Sequence, residues 1–544
     1  MIIPLQRLRW AHIVILVSFI LAVGLRTYKW NEVAVFNGDD GMDLSIVWNM
    51  EYRGHRPLVG PFLSVPDVYT PPTYYSLTWI FYHLSPSPDG VRLGYLFMDL
   101  LNMVIVMYLV SKIRNLNAAA IAGIFYAASL VLTYHGRAYW QPFPIQIFLS
   151  LTLLSFWFAY RKKSAAFLWL AALCYALALS VYPSPILLLP LTAYHLIRWH
   201  ITTKRVSLFE AINSSIAMFI GTTTLVFTPQ LIFEYRHGFP TLYALSATNP
   251  ATLVPDQFIQ TIFWHIITSI TNFVQIQTSF PEPYHTLFPV AYILLFILVG
   301  RLSTHGAAHP EKASLRLINF FPPFVILTGY LFVYFIPDPA PHRVWALMPV
   351  FIVATALITE KALRAAAPLP VITAGILVSL YLYGNISSLY RDFKYFPTNF
   401  IGLTKQTAHL IIADMNTHKI PQEKTDLVYM LPENSSPHYE LNRVLYWLIA
   451  AKKFYIPLTT DGNKLDYEVY MPPVSQPTVY LLCEQFVSPD TTNQECIRPF
   501  LEANPSYAPT TRHDHPELSL IILKKRTGEE TIGGQPNEEP NKQW

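Results

Sequence analysis

Pro71-Pro72-Thr73-Tyr74-Tyr75-Ser76-Leu77-Thr78-Trp79-Ile80-Phe81-Tyr82 is the stretch on which the topology of this chain turns. It is apolar and aromatic enough to suggest a transmembrane helix, but a hydrocarbon core takes about 20 apolar residues and this run stops short. If it crossed, Lys112 and Arg114 would fall outside, together with every later basic cluster. Laid in the interface, it leaves Lys112/Arg114, Arg161-Lys162-Lys163, Arg198 with Lys204-Arg205, Arg301 with Lys312 and Arg316, and Lys361/Arg364 inside. The positive-inside bias therefore selects an interfacial helix rich in Tyr and Trp.

Apolar runs on either side of that helix predict spans near 10–27, 91–110, 118–133, 142–160, 165–181, 184–198, 208–228, 286–301, 316–336, 343–359 and 369–385. Arg7 and Arg9 precede Ala11–Gly24, which resembles a signal sequence but has no small-residue cleavage site after it. It reads as an uncleaved first helix with its N-terminus in the cytoplasm. About eleven spans then put the C-terminus outside. Composition agrees: of 544 residues, 52% are hydrophobic and only 13% charged, about half the charge of a soluble domain. The expected class is an α-helical polytopic protein of the cell membrane. A net charge of +4, spread over many loops, gives no case for nucleic acid.

Residues 1–385 form the expected membrane domain, with long outer loops at 28–90 and 229–285. Beyond it, 426–431, 479–482 and 518–522 read as strands alternating with helical patterns at 404–418 and 439–454. That predicts a small extracytoplasmic α/β domain over 386–525, followed by a polar, disordered tail at 526–544. Cys174 sits in an apolar run as packing, whereas Cys483 and Cys496 could pair in an oxidising compartment. No CxxC or HExxH is present.

The first outer loop carries Phe36-Asn37-Gly38-Asp39-Asp40-Gly41-Met42-Asp43. Adjacent carboxylates at a membrane surface repel and cost desolvation. Glycines on either side let the backbone turn tightly. Asp39 and Asp40 are read as the floor of a catalytic pocket, and Asp43 as a substrate-binding residue of the sugar or lipid groove. The alternative is an N-cap for a helix through Leu44–Trp48. The other outer loops pair His with Arg: His135/Arg137, Arg236/His237 and His342/Arg343, with Arg92 at the outer end of the second span. Guanidinium forks suit phosphate oxygens; lipid-headgroup contacts or helix capping would use the same residues. Tyr74, Tyr75 and Trp79 suit a sugar or polyprenol groove, or an interfacial belt. Asp99, near Asn102 within a span, is expected to pair with a neighbouring helix. Glu234 could partner Arg236 or act as an acid, and Glu210 reads as a solvated helix end.

Carboxylates opposite a phosphate clamp suit glycosyl transfer from a lipid-linked phosphosugar. A carboxylate takes the acceptor's proton, the nucleophile attacks the anomeric carbon with inversion, and cations receive the departing phosphate. No glycine-rich nucleotide loop is present, as a donor dissolved in the bilayer would require.

Gly38-Asp39-Asp40-Gly41, Gly60-Pro61-Phe62-Leu63-Ser64, Pro71-Pro72-Thr73-Tyr74-Tyr75, Phe233–Phe239 and His342–Pro349 together resemble the membrane glycosyltransferases of the GT-C fold. Within that fold, the resemblance is to the superfamily of protein O-mannosyltransferases and lipid A aminoarabinose transferases. It covers about residues 1–385. It implies that Asp39 matches the catalytic first acid, with Asp40 where Glu is more usual. It further implies a polyprenyl-phosphate-sugar donor, undecaprenyl-linked in a bacterium, with a glycan, lipid or protein acceptor and no nucleotide sugar. No cofactor is obligatory and a divalent metal is not indicated. A flippase for lipid-linked saccharides and a structural subunit of an envelope assembly complex are the alternatives. The clustering of charge at one face and the lack of an internal repeat disfavour the first.

Overall fold

The computed structural model describes residues 10–31, 38–61, 63, 68–247, 346–364, 368–395, 400–420, 425–430, 477–484, 501–502, 504–513 and 518–526. The expected spans at 286–301 and 316–336, the helix at 439–454 and the tail lie outside the described residues. The chain divides into two units. One comprises Met1–Val35, Asn49–Ser85 and Asp89–Pro397; the other comprises Phe36–Trp48, Pro86–Pro88 and Thr398–Trp544.

The described helices of the first unit begin with α1 (Trp10–Thr27), the end of α2 (Gly38–Arg53), α3 (Thr73–Leu84), α4 (Pro88–Ile113), α5 (Leu116–Ala128) and α6 (Leu130–His135). They continue with α7 (Ile145–Lys162), α8 (Ala165–Val181), α9 (Leu189–Trp199), α10 (Leu208–Arg236), α11 (Pro240–Ala247), α12 (Met348–Leu363) and α13 (Pro368–Tyr395). Among the described residues, α1, α4, α10 and the Pro368–Arg391 part of α13 are long and apolar enough to cross a bilayer. The chain is an integral membrane protein with a predominantly helical fold.

α3 has 12 residues, about 18 Å of helix, too short to span. It buries Tyr74, Tyr75, Thr78 and Tyr82 on one face and leaves Ile80 and Leu84 exposed. That is the amphipathic pattern of an interfacial helix.

In lipid, helices associate through close packing rather than hydrophobic exclusion, so small residues decide who meets whom. α1 turns Ala11, Ser18 and Ala22 inward and packs on the Ala-rich α5. A methyl on Gly123 of α5 would come within 2.9 Å of Met107 Sδ. α7, α8, α9 and α10 share a core of Phe156, Ala159, Leu168, Ala171, Leu196, Trp199 and Met218. There the fully buried Trp199 donates its indole N–H to the Ala159 carbonyl at 3.0 Å.

Several expected spans differ in detail. The run 184–198 is a 3-10 turn at Ser184–Leu188 followed by the 11-residue α9, and 369–385 runs on to Tyr395 in α13. Two more have a clear physical cause. The run 118–133 is interrupted at Ser129, dividing α5 from α6. At membrane depth a break must satisfy the groups it frees, and α13 does so from both sides. Tyr381 donates its hydroxyl to the Phe125 carbonyl at 2.9 Å, and Asn385 Oδ1 accepts the Leu130 N–H at 2.8 Å. The run expected to stop at 228 continues through Pro229 to Arg236. α10 starts at a capping box in which Ser207 and Glu210 bond reciprocally. Glu210 is thus the solvated helix end expected.

The second unit holds residues 38–48 of α2, α14 (Phe400–Thr417) and a four-stranded sheet. Its strands are β1 (Thr425–Met430), β2 (Thr478–Glu484), β3 (Tyr507–His513) and β4 (Leu518–Lys525), in the order β1-β2-β4-β3. β1 runs parallel to β2; β4 runs antiparallel to β2 and β3. Val479–Leu481 and Leu520–Leu523 are buried without alternation, as central strands covered on both faces are. Tyr480 donates to Asp414 of α14 at 2.8 Å, tying that helix to the sheet. β3 was not expected. Pro509 masks it, and the register shifts between Pro509 and Thr511 on this edge strand, where a missing N–H costs least.

Candidate functional site

Asp39 and Asp40 stand in the first turn of α2, which begins at Gly38. They are helical residues inside the N-terminus rather than a loop or a cap. Asp43, a turn later, is buried.

After α2, the backbone of the first motif element pairs with the residues just before the second. Gly60 N–H donates to the Thr70 carbonyl at 2.6 Å and Thr70 N–H to the Pro61 carbonyl at 3.1 Å, with Leu63 N–H closing on Val68 at 2.8 Å. A Cβ on Gly60 would sit 2.3 Å from the Pro71 carbonyl oxygen, so only glycine fits. Gln141 holds this pairing by donating to Thr70 Oγ1 at 2.9 Å and to the Val181 carbonyl at 2.8 Å. Gln230 of α10 donates to the Tyr69 carbonyl at 2.7 Å. α3 therefore enters from a strap fixed to the ends of α8 and α10. Its Tyr74 and Tyr75 are buried with ring centroids 5.6 Å apart. Trp79 is half-buried and donates its indole N–H to Glu51 at 2.9 Å.

The basic residues of the outer loops fall into two groups. Arg92 and Arg137 come together, fully buried. Arg92 donates Nε–H to the Arg137 carbonyl at 3.0 Å, reaches the Trp30 carbonyl with Nη2, and lies 4.0 Å over the Trp30 ring. Arg137 donates to the carbonyls of Leu25, Tyr28 and Lys29 at 2.9, 2.6 and 2.9 Å. These donors finish the C-terminal end of α1, the capping use of an arginine. Burial, followed by the Arg92 charge, pushes the Arg137 guanidinium down to about 10, so it stays cationic at neutral pH.

His135 is buried and stacks on Phe143 at 4.2 Å. Burial and then the Arg26 charge hold its imidazole well below the ordinary value, so it is neutral at pH 7. Arg26 is bonded to Asp99, which also accepts the Tyr126 hydroxyl at 2.8 Å; Asn102 donates to that hydroxyl at 2.8 Å. Asp99 thus pairs with a neighbouring helix, as expected. A small cavity of about 10 Å³, room for about one water, lies beside this network and is lined by Tyr95, Asp99, Asn102, His135, Phe143 and Gln146, among others.

Arg236 and His237 are exposed at the end of α10, with His237 stacked on Phe233 at 4.2 Å. Arg236 makes no ion pair among the described residues. Its neighbour Glu234 is buried and accepts the Thr241 N–H at 3.2 Å. His342, Arg343 and Cys496 lie outside the described residues. Among the described residues, no three His, Cys, Asp or Glu side chains gather as a metal site.

No family model matches the sequence, and no curated protein does. Solved structures do. The apo structure of ArnT from Cupriavidus metallidurans superposes with a TM-score of 0.50 at 10% identity, over 94% of this chain and 98% of that one. This chain has the GT-C glycosyltransferase fold. The ArnT structure bound to undecaprenyl phosphate matches at 0.48 and 11% identity, over 93% and 97%. The Archaeoglobus fulgidus oligosaccharyltransferase in its apo form matches at 0.38 and 14%, over 70% of this chain and 56% of that one.

Three features of this GT-C chain went unnoticed in the sequence: Arg26, Gln141 and Gln230. Arg26 had a signal, a cation ending the first span with an unpaired acid in the next. The two glutamines had none, because their partners lie far off in sequence: Thr70 Oγ1 and the Val181 carbonyl for Gln141, the Tyr69 carbonyl for Gln230.

Proposed function

We propose that this chain is an inverting glycosyltransferase that takes a sugar from a polyprenyl-phosphate donor at the outer membrane face. The observation that carries the reading is the ArnT-like fold combined with two acids opening the first helix after the first span. ArnT has been crystallised bound to undecaprenyl phosphate, a lipid phosphate of the class proposed here.

Asp39 is assigned the base, with Asp40 and Asp43 beside it on the same helix. Asp39 removes the proton from the acceptor's hydroxyl or amine while the freed lone pair attacks the anomeric carbon. The bond from that carbon to the lipid phosphate oxygen breaks, and the lipid monophosphate leaves with its electrons. Arg236 and His237 are the exposed groups suited to receive it, with His342 and Arg343 proposed to join them. Arg137, whose donors reach backbone carbonyls, and Arg92, whose donors reach carbonyls and the Asp89 carboxylate at 3.2 Å, contribute positive field rather than contact, with the neutral His135 two residues before Arg137. Tyr74, Tyr75 and Trp79 form the proposed wall for sugar and lipid.

The test is release of lipid monophosphate from a synthetic polyprenyl-phosphate sugar by the purified full-length chain. Release that requires an acceptor supports the transferase. Movement of the intact donor across proteoliposomes without cleavage would make it a flippase instead.

A further inference from the structure

The end of α3 and the turn after α2 carry a surface outside the transfer chemistry itself, although it shares Trp79 with the proposed wall for sugar and lipid. α2 ends at Arg53, and Gly54 turns the chain in the left-handed region (φ 66°). His55 N–H returns to the Asn49 carbonyl at 3.3 Å. The reversal lays the exposed Arg56 over the Trp79 ring, its guanidinium carbon 5.1 Å from the centroid. The ring itself is fixed. Its N–H is bound to Glu51, and it lies against His83 with centroids 5.3 Å apart. His83 Nδ1 lies 3.1 Å from both Glu51 oxygens, so the one carboxylate here is already engaged.

Arg56 makes no ion pair among the described residues. Further round α3 from Trp79, Ile80 and Leu84 are 46% and 76% exposed, one helical turn apart from each other. A cation over an indole, on a short helix that also exposes aliphatic side chains, suits a phosphate above and acyl chain below.

We propose that this surface seats the headgroup phosphate of an anionic membrane phospholipid. Stacking on Trp79 restrains the guanidinium, so little side-chain entropy is lost when its Nη groups bond the phosphate oxygens. Ile80 and Leu84 lie against the first methylenes of the chains, and Arg56 supplies the charge complement.

The test is native mass spectrometry of the full-length chain equilibrated with equal amounts of phosphatidylglycerol and phosphatidylcholine. The wild-type chain is expected to retain phosphatidylglycerol preferentially. Arg56→Gln should weaken that preference about fivefold, the equivalent of about 1 kcal/mol for one interfacial arginine. Leu84→Glu should do the same by adding charge at the seat. Unchanged phosphatidylglycerol retention in both variants overturns the proposal. So does equal loss of both lipids, which would remove charge as the selector. A raised KM for the polyprenyl-phosphate donor in Arg56→Gln, with phosphatidylglycerol retention unchanged, would instead assign the arginine to the donor.

Discussion

Arg137 Nη1 donates to the Tyr28 carbonyl at 2.6 Å, across 109 residues of sequence. With the bonds to Leu25 and Lys29, it fastens the second outer loop to the end of the first helix. Truncating it removes three part-buried hydrogen bonds to backbone carbonyls at once. Arg137→Ala should cost on the order of 3 kcal/mol. Arg137→Lys should recover little, since a point charge cannot reproduce a fork reaching three acceptors. Thermal unfolding in detergent measures both; a lysine variant as stable as wild type would show that charge alone suffices.

Gly60→Ala should be far more damaging than its size suggests. Its methyl meets the Pro71 backbone oxygen at 2.3 Å, and backbone cannot step aside as a side chain can. The strap would open and α3 lose its anchor, with a cost of roughly 2–4 kcal/mol. Limited proteolysis between residues 60 and 72 should speed up, while an unchanged cleavage rate would mean the strap accommodates the methyl.

At the other end of the bundle, Glu360 of α12 is buried and accepts from Arg114 Nε at 2.9 Å and Asn115 Nδ2 at 2.8 Å, with Arg364 also paired to it. Removing its charge strands Arg114 in a half-buried site. Glu360→Gln should lower the unfolding temperature more than Arg364→Gln, because Arg364 is half in solvent and exposed pairs contribute about 1 kcal/mol or less. Equal shifts would contradict this ranking.

His135 lies just past the hydrophobic run ending at Thr133, and its folded imidazole titrates below the unfolded value of about 6.5. Below about pH 6.5 the unfolded chain binds a proton that the folded chain refuses, so stability falls as pH drops, by at most about 1.4 kcal/mol per pH unit. His135→Phe keeps a ring for stacking on Phe143 and should lose less stability between pH 7 and 5. Parallel pH profiles for the two proteins would show that His135 is not the titrating group.

Local signals were legible and distant ones were not. α8 runs over the expected residues, 165–181, because an unbroken apolar stretch ends at Tyr182-Pro183. The shortness of α3 was readable from length alone. The break at Ser129 was not, since Tyr381 and Asn385, which make it tolerable, lie some 255 residues away. Arg92 and Arg137 show the same limit within the candidate site. Their charge is visible in the sequence, but the carbonyls that consume their donors appear only once α1 and α4 are packed. α10 passes Pro229 because a proline near a helix end in a membrane protein costs less than the stop-signal rule assumes.

The central claim is most directly tested by transfer of a radiolabelled sugar from a polyprenyl-phosphate donor, comparing Asp39→Asn with wild type at matched membrane-inserted amounts. Loss of a general base predicts at least about a hundredfold slower transfer with insertion and expression unchanged. Wild-type transfer by Asp39→Asn would contradict the assignment of Asp39 as the base and, with it, the proposed chemistry.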